Sequence, residues 1–425
     1  MLGLVLLIFA VLMLLRVRLA FALLAVSILY FWLVGMPLDI AVARVIATTQ
    51  SFPLLAIPLF ILAGNLMNQT GMTTRLFRFA EAFLGRVPGG LGHVVVCVGM
   101  LMAGTSGAAI ADAAALARVS IDEMERAGYP RPFAAAICAF AATMGPLIPP
   151  SIMFIIFGWL ANESVNRLFI AGALPGFFVG LFMIATIFII ASRNRYGVAL
   201  ARPTAADVMR AFSGAVWAML MPVVVLGGII IGAFTATEAA AIAVAYALLV
   251  GALIYRRLDL AGLMDALKET VTTSMSIMFV VAASYPFGWI LTAEQAPQSI
   301  LGVASEIAAS PWLVLLVVNL LLLGLGMVME STAILLIVVP MLLPLMKAIG
   351  VDPAHFGVIV TANLLLGTIT PPFGILMFTT CTVAKVSTLD FQKASIPFYV
   401  AFLLLLAVVT YIPAVSLWLP SVVMG

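Results

Sequence analysis

Two stretches rich in Gly and Pro recur in this chain at one fixed offset, and they limit its fold more than any other feature. Gly104-Thr105-Ser106-Gly107 is followed by Gly145-Pro146-Leu147-Ile148-Pro149-Pro150, and Gly324-Leu325-Gly326 is followed by Gly367-Thr368-Ile369-Thr370-Pro371-Pro372. A shift of 222 positions lays Gly104 on Gly326, Gly128 on Gly350, Gly145 on Gly367 and Pro149-Pro150 on Pro371-Pro372. The chain is read as an internal repeat. Gly and Pro weaken or break helices, and a double Pro removes two backbone donors. The surroundings are hydrocarbon: with 65% hydrophobic and 9% charged residues over 425 positions, the chain carries more apolar surface than a soluble fold could hide. Broken backbone survives there only if it is buried in protein or lines a polar cavity. Paired interruptions in corresponding halves point to the binding site of a repeat-built secondary transporter.

The apolar runs set the expected spans. Leu2 to Leu15 and Leu19 to Val34 flank Arg16-Val17-Arg18, and the run Met1 to Leu15 lacks the basic start and cleavage site of a signal peptide. Gly35 to Gln50 reads as a polar connection, Phe52 to Met67 as a span, and Thr73 to Arg86 as an amphipathic helix along the interface, with Leu76, Phe79, Ala80 and Phe83 on one face. Leu91 to Ala117, broken at Gly104 to Gly107, fits a hairpin that enters and leaves on one side. Arg118 to Pro132 reads as a solvent loop, Phe133 to Leu160 as a broken span, Leu168 to Ala191 as a crossing, and Ser192 to Arg210 as the connector between halves. The second half repeats the plan: spans at Val216 to Gly232 and Ala239 to Ile254, a basic loop at Arg256 to Lys268, a crossing at Val271 to Leu291 and a polar segment at Thr292 to Ser310. A hairpin at Pro311 to Met346, a broken span at Phe356 to Thr380 and a last crossing at Ile396 to Trp418 complete it.

Charge tests this topology. With the amino terminus outside, 17 of the 20 Lys and Arg residues fall in inner loops, and only Arg44, Arg167 and Lys347 fall outside. Treating either hairpin as a full crossing would invert everything downstream and destroy that bias. The halves therefore enter from opposite sides, and the repeat is inverted. A net charge of +3 is too small to suggest nucleic acid.

The broken elements supply neutral oxygens. Thr105, Ser106, Thr368 and Thr370 offer hydroxyls, and the segments from Gly145 to Pro149 and Gly367 to Pro371 offer freed carbonyls. Such cages suit a hard monovalent cation such as sodium, while exposed helix amino termini suit a carboxylate. Asp112, Glu238 and Glu330 lie in or beside apolar runs, where an ionisable group is a functional candidate. Glu330, next to Ser331-Thr332, is the candidate for a direct ion or substrate role, and Asp112 and Glu238 read as helix-end contacts. Cys97, Cys138 and Cys381 read as small core residues, His93 and His355 form no cluster, and no Ser/His/Asp arrangement or nucleotide loop appears, so enzyme chemistry has no visible apparatus.

The chain resembles the large membrane subunit (M component) of the tripartite ATP-independent periplasmic (TRAP) transporters. The resemblance rests on Leu59 to Met67, Ala103 to Ala115 (AGTSGAAIADAAA), Gly145 to Ser151 (GPLIPPS), Gly232 to Tyr246 (GAFTATEAAAIAVAY) and Gly367 to Gly374 (GTITPPFG), and it runs nearly the whole length. Two positions depart from the pattern: Asn65, where the family commonly has an acid, and Ala236, where it has Pro. The resemblance implies an all-α polytopic, elevator-type carrier of the bacterial inner membrane. Its hairpins and broken helices would form a mobile transport domain within 91–160 and 311–380. The scaffold would lie in 1–70 and 211–292, with an interfacial helix at 71–90, a crossing helix and connector at 161–210, a periplasmic segment at 293–310 and a last helix at 381–425. One sodium site would map to Thr105, Ser106, Gly145, Ile148 and Pro149, and its inverted partner to Gly326, Gly367 and Thr370. Substrate would meet Thr105, Ser106, Gly107, Glu330, Ser331 and Thr332. The implied partners are a small TRAP membrane subunit, a periplasmic substrate-binding protein, membrane lipid and an organic anion such as a dicarboxylate or sugar acid.

Three alternatives are weighed. A self-sufficient sodium/carboxylate carrier of the same superfamily shares the physics of the sites and differs only in needing no binding protein. A proton-translocating subunit of a respiratory complex would need buried Lys, Glu and His across the membrane, and no intramembrane Lys lies between Leu2 and Leu260. A membrane enzyme lacks its catalytic cluster.

Overall fold

The computed structural model describes residues 1–85, 87–106, 109–197, 204–299, 302 and 310–424, which are helices and short connections. Gly107, Arg86, Arg202 and, within the segment expected at Thr292 to Ser310, residues 300, 301 and 303–309 lie outside the described residues, as do the side chains of Thr105 and Ser106. The first half comprises α1 (Leu2–Leu14), α2 (Leu19–Val34), α3 (Leu38–Thr49), α4 (Ala56–Gln69), α5 (Met72–Leu84), α6 (Gly90–Ser106), α7 (Ala109–Arg126), α8 (Arg131–Ala142), α9 (Ile152–Ala161) and α10 (Val165–Asn194). The second comprises α11 (Ala205–Ile230), α12 (Ala236–Leu249), α13 (Leu260–Ala293), α14 (Pro311–Gly326), α15 (Ser331–Ala348), α16 (Pro353–Ile369), α17 (Ile375–Ala384), α18 (Thr388–Tyr411) and α19 (Ala414–Met424). The repeat is visible in the element bounds: α7 and α15 both span 18 residues, starting at 109 and 331 and ending at 126 and 348, which is the 222-residue offset of the motifs. Among the described residues, seven helices are long and apolar enough to cross a membrane.

Local chemistry sets where helices begin. Ser151, Ser164, Thr204, Thr235, Asp259, Asp352 and Ser387 each cap an amino terminus through a side-chain oxygen. At α12, Thr235 and Glu238 cap each other reciprocally, which is the helix-end role expected of Glu238.

Packing between helices cannot come from water exclusion alone, because lipid is as apolar as a protein core; small residues that admit close approach matter instead. On α10 a Cβ at Gly172 would lie 2.8 Å from the Leu147 carbonyl oxygen and one at Gly180 2.9 Å from the methyl of Met100, so α10 presses directly on α6 and on the break in the α8–α9 helix. Each hairpin packs on the broken helix of its own half, α6 and α7 on α8, α14 and α15 on α16. Its second helix also reaches the other half, α7 touching α17 and α15 touching α9. These elements interlock into one body. Around it, α4 packs on α12 and α13, α5 on α11, and α2 and α3 on α13. The α1–α2 pair builds a separate cluster against α13 in which Phe31 stacks on Trp289 with centroids 5.2 Å apart.

Several expectations are corrected. Gly35 to Gln50 is not a loop: α3 occupies 38–49, with Ala41 and Thr48 buried on one face, a stripe too short to register as a span. Most of the segment Arg118 to Pro132 continues α7 to Arg126, since charged side chains on an exposed helix face cost no burial, and only 127–130 turn. The start of the Arg256 to Lys268 loop is real, but α13 begins at Leu260 and carries Lys268 on an exposed face. Similarly α11 begins at Ala205, not Val216, behind the capping box of Thr204 and Asp207. The last crossing is α18, which ends at Tyr411 before Pro413, and α19 is a separate helix. Finally, Gly104 and Gly324 do not break their helices. The backbone stays helical through Ser106 and Gly326, and the second hairpin turns at 327–330.

Candidate functional site at the hairpin tips and broken helices

The break between α8 and α9 follows from what Pro cannot do. The amides of Leu147 and Ile148 both turn back to the Met144 carbonyl at 3.0 Å, while Pro146, Pro149 and Pro150 have no N–H to give. Carbonyls in this turn therefore lose their helical partners. Ser151 recovers one, its hydroxyl bonding the Pro146 carbonyl while it accepts from the Phe154 amide at 3.3 Å. Gly145 and Pro149 are buried in the turn, and the Ile148 side chain packs on Gly176 of α10, leaving only its backbone to serve a ligand.

The break between α16 and α17 is built from the same parts. Thr370 leaves the helix in extended conformation, φ −81° and ψ 136°, and its carbonyl accepts from the Gly374 amide at 3.2 Å. The Ile369 carbonyl accepts the Tyr399 hydroxyl of α18 at 2.8 Å, which anchors the break to the neighbouring crossing. The Thr368 hydroxyl donates to the Leu365 carbonyl at 2.7 Å and the Thr370 hydroxyl to the Leu366 carbonyl at 2.6 Å. With both hydrogens committed to the helix, these threonines have only lone pairs left to offer.

The second hairpin meets this break at Gly326 and Gly367. A Cβ on Gly367 would lie 2.6 Å from the Gly326 α-carbon, and one on Gly326 would lie 3.0 Å from the Gly367 α-carbon. Backbone touches backbone there. The two residues paired by the sequence motif are thus brought together, with the extended backbone of Thr370 following three residues after Gly367. Glu330 caps α15, accepting from the Ala333 amide at 3.1 Å and from the Thr332 hydroxyl at 2.9 Å, while the buried Ser331 hydroxyl has no partner among the described residues. The structure gives Glu330 a structural task and leaves Ser331 as the unsatisfied group at this tip. Asp112 is buried in the first turn of α7, consistent with a helix-end contact.

Sequence reasoning missed a polar relay behind the second site. Asn363 of α16 donates through its side-chain amide to Oδ1 of Asn319 on α14, the Asn319 amide donates to the Thr410 hydroxyl at 3.1 Å, and a ring nitrogen of His355 lies 3.3 Å from the Thr410 carbonyl. Two lone amides in apolar runs were the available signal. Asn65 donates to the Thr270 hydroxyl at 3.0 Å and so ties α4 to α13. Below the first hairpin, between α5 and α6–α7, a cavity of about 280 Å³ is bordered by Arg78, Glu81, Met102 and Glu123. Burial there pushes the Glu81 carboxyl above its usual range, Glu123 adds to the rise, and Arg78 opposes it.

An all-helical membrane fold in which two hairpins pack on two broken helices, the second tip meeting its break at Gly326 and Gly367, is the architecture of a repeat-built secondary transporter. The sequence matches the DctM component of the tripartite ATP-independent periplasmic transporters over residues 6–415, and the chain belongs to this family. It is 37% identical over 388 residues to the sialic acid TRAP transporter large permease protein of Vibrio cholerae, covering 91% of both chains. It is 40% identical over 378 residues to the C4-dicarboxylate TRAP transporter large permease protein of Pseudomonas aeruginosa, covering 89% of this chain and 88% of that one. The 2,3-diketo-L-gulonate TRAP transporter large permease protein of Escherichia coli is 37% identical over 385 residues, 91% of this chain and 90% of its own. The fold is also that of the Alcanivorax borkumensis YdaH transporter, with a TM-score of 0.61 at 14% identity over 90% of this chain and 89% of that one.

Proposed function

We propose that this chain is the sodium-coupled large membrane subunit for uptake of an organic anion across the bacterial inner membrane. A periplasmic binding protein delivers the anion, and a small membrane subunit buttresses the scaffold. The observation that carries sodium coupling is the donor set at the second break. Thr370 and the freed carbonyls around it present lone pairs only, and the Gly326–Gly367 contact brings the hairpin backbone to the same place. A hard monovalent cation fits such oxygens. By symmetry the first site takes Thr105, Ser106, Gly145, Ile148 and Pro149. Sodium supplies the charge that draws the hairpin tip, with Ser331 and the helix amino termini, onto a substrate carboxylate. The anion class is supported by relatives named for sialic acid, C4-dicarboxylates and 2,3-diketo-L-gulonate. The asymmetry of Lys and Arg supports an amino terminus in the periplasm. The interlocked hairpins and broken helices move as one body against α1–α5 and α11–α13, as an elevator.

The test is uptake by proteoliposomes that contain this chain and its small subunit under an inward sodium gradient, with and without the binding protein. Uptake that needs both sodium and the binding protein is expected, and Thr370→Val should raise the half-saturating sodium concentration at least about tenfold while Thr370→Ser retains coupling. Uptake without the binding protein would make it a self-sufficient carrier, and uptake indifferent to sodium would overturn the ion sites.

A further inference from the structure

Arg44 of α3 borders a cavity of about 330 Å³ between α3 and α13 on one wall and α9 and α15 on the other. Its guanidinium sits 4.9 Å from the Trp289 ring centroid and 5.8 Å from that of Tyr285, so two aromatic faces hold it in place. Among the described residues Arg44 makes no ion pair, its Nε is buried without a hydrogen-bond partner, and no acidic side chain lines the cavity. Arg167, another cation assigned to the same side of the membrane, is by contrast paired to Asp352 at 2.7 Å and to Glu163 at 3.3 Å. A positioned cation with no anion, facing a void large enough for a small molecule, is an incomplete charge pair.

The rest of the lining says what would complete it. The Ser284 hydroxyl donates to the Val281 carbonyl at 2.7 Å and the Thr292 hydroxyl to the Gly288 carbonyl at 3.0 Å, so both face a ligand as acceptors. Pro340 also lines the cavity, and because it has no N–H, the carbonyl of Leu336 beside it loses its helical partner. Trp159, with its ring centroid 5.4 Å from that of Tyr285, gives an apolar wall. One fixed cation, several acceptors and an aromatic wall match a small carboxylate whose body carries hydroxyl or amide donors. We infer that the Arg44 cavity is a binding site for a hydroxylated organic carboxylate, separate from the hairpin-tip site. Its placement on the periplasmic side, where an anion released by a delivery protein would first meet the membrane subunit, rests on the uptake reading above; the binding itself does not.

The experiment is calorimetric titration of gluconate and succinate into the full chain in phosphatidylcholine nanodiscs, in sodium-free buffer so that the hairpin-tip ion sites contribute nothing. Saturable gluconate binding is expected, tighter than that of succinate, weakened at least about tenfold by Arg44→Gln and less by Arg44→Lys. Trp289→Leu, which removes the nearer aromatic face and keeps the site apolar, should weaken binding while the helical circular dichroism stays that of the wild type, which guards against Arg44→Gln failing to fold. Equal affinity in Arg44→Gln, or no heat with either acid, would overturn the inference. So would retention of phosphatidylglycerol by the detergent-purified wild type and not by Arg44→Gln, with no gluconate binding to either, which would assign Arg44 to a lipid phosphate. Thr370→Val separates the two readings: it should impair sodium-driven uptake and leave gluconate binding intact.

Discussion

Gly326 and Gly367 meet through their α-carbons, and no flexible side chain stands between them to give way. Gly367→Ala places a methyl 2.6 Å from backbone, so it should cost about 1–3 kcal/mol or push the hairpin off the break, and uptake should fall to background. Gly326→Ala meets the Gly367 α-carbon at 3.0 Å and should be the milder of the two. Melting temperature in detergent together with uptake measures both, and wild-type behaviour of Gly367→Ala would rule out the close contact. Glu81 offers a titration test at the same scale. Burial raises its carboxyl above the usual range, so ionisation opposes folding; that cost is present above the folded pKa and is relieved as pH falls through it. Glu81→Gln should therefore stabilise the protein at neutral pH, with the gain disappearing as the buffer is acidified below the raised value. A melting-temperature difference independent of pH would contradict this.

Helices α14, α16 and α18 are joined by the Asn363–Asn319–Thr410 relay rather than by shape alone. Breaking one member strands a buried partner, and replacing both amides by apolar groups strands fewer. Asn319→Leu alone should destabilise by about 1–3 kcal/mol, and the Asn319→Leu/Asn363→Leu pair by less than the sum of the two single changes. Denaturation of all three variants supplies the cycle, and strict additivity would show that the amides act independently. The same relay explains why α16 keeps its register against the hairpin while its far end opens at Thr370.

At the scale of the molecule, the hairpins and broken helices of both halves pack as one unit and touch α13 along a second surface. Trp159 of α9 and Tyr285 of α13, with ring centroids 5.4 Å apart, face each other across it. An elevator must slide this surface. In a background without Cys97, Cys138 and Cys381, a Trp159→Cys/Tyr285→Cys protein cross-linked by a short bismaleimide should lose uptake and recover it when the cross-linker is omitted. A cross-link between α4 and α12, both in the proposed scaffold, should leave uptake unchanged. Undiminished uptake by the Trp159–Tyr285 cross-linked protein would exclude relative motion of these two bodies.

The sequence by itself determined the repeat, the hairpins, the broken helices and the membrane class, because Pro and Gly act on their own backbone and apolar length is a local property. It placed Gly326 and Gly367 in the two motifs of one half, as the counterparts of Gly104 and Gly145, and put Glu238 and Asp112 at helix ends. It misjudged α3 and the charged end of α7, where an amphipathic or exposed helix shows neither a long apolar run nor a helix breaker. Only the tertiary structure decided that Gly326 touches Gly367, that Asn319 and Asn363 form one relay, and that Arg44, unpaired among the described residues, stands between two aromatic rings. Those facts depend on residues tens to hundreds of positions apart, and distance along the chain carries no information about which of them the packing will bring together.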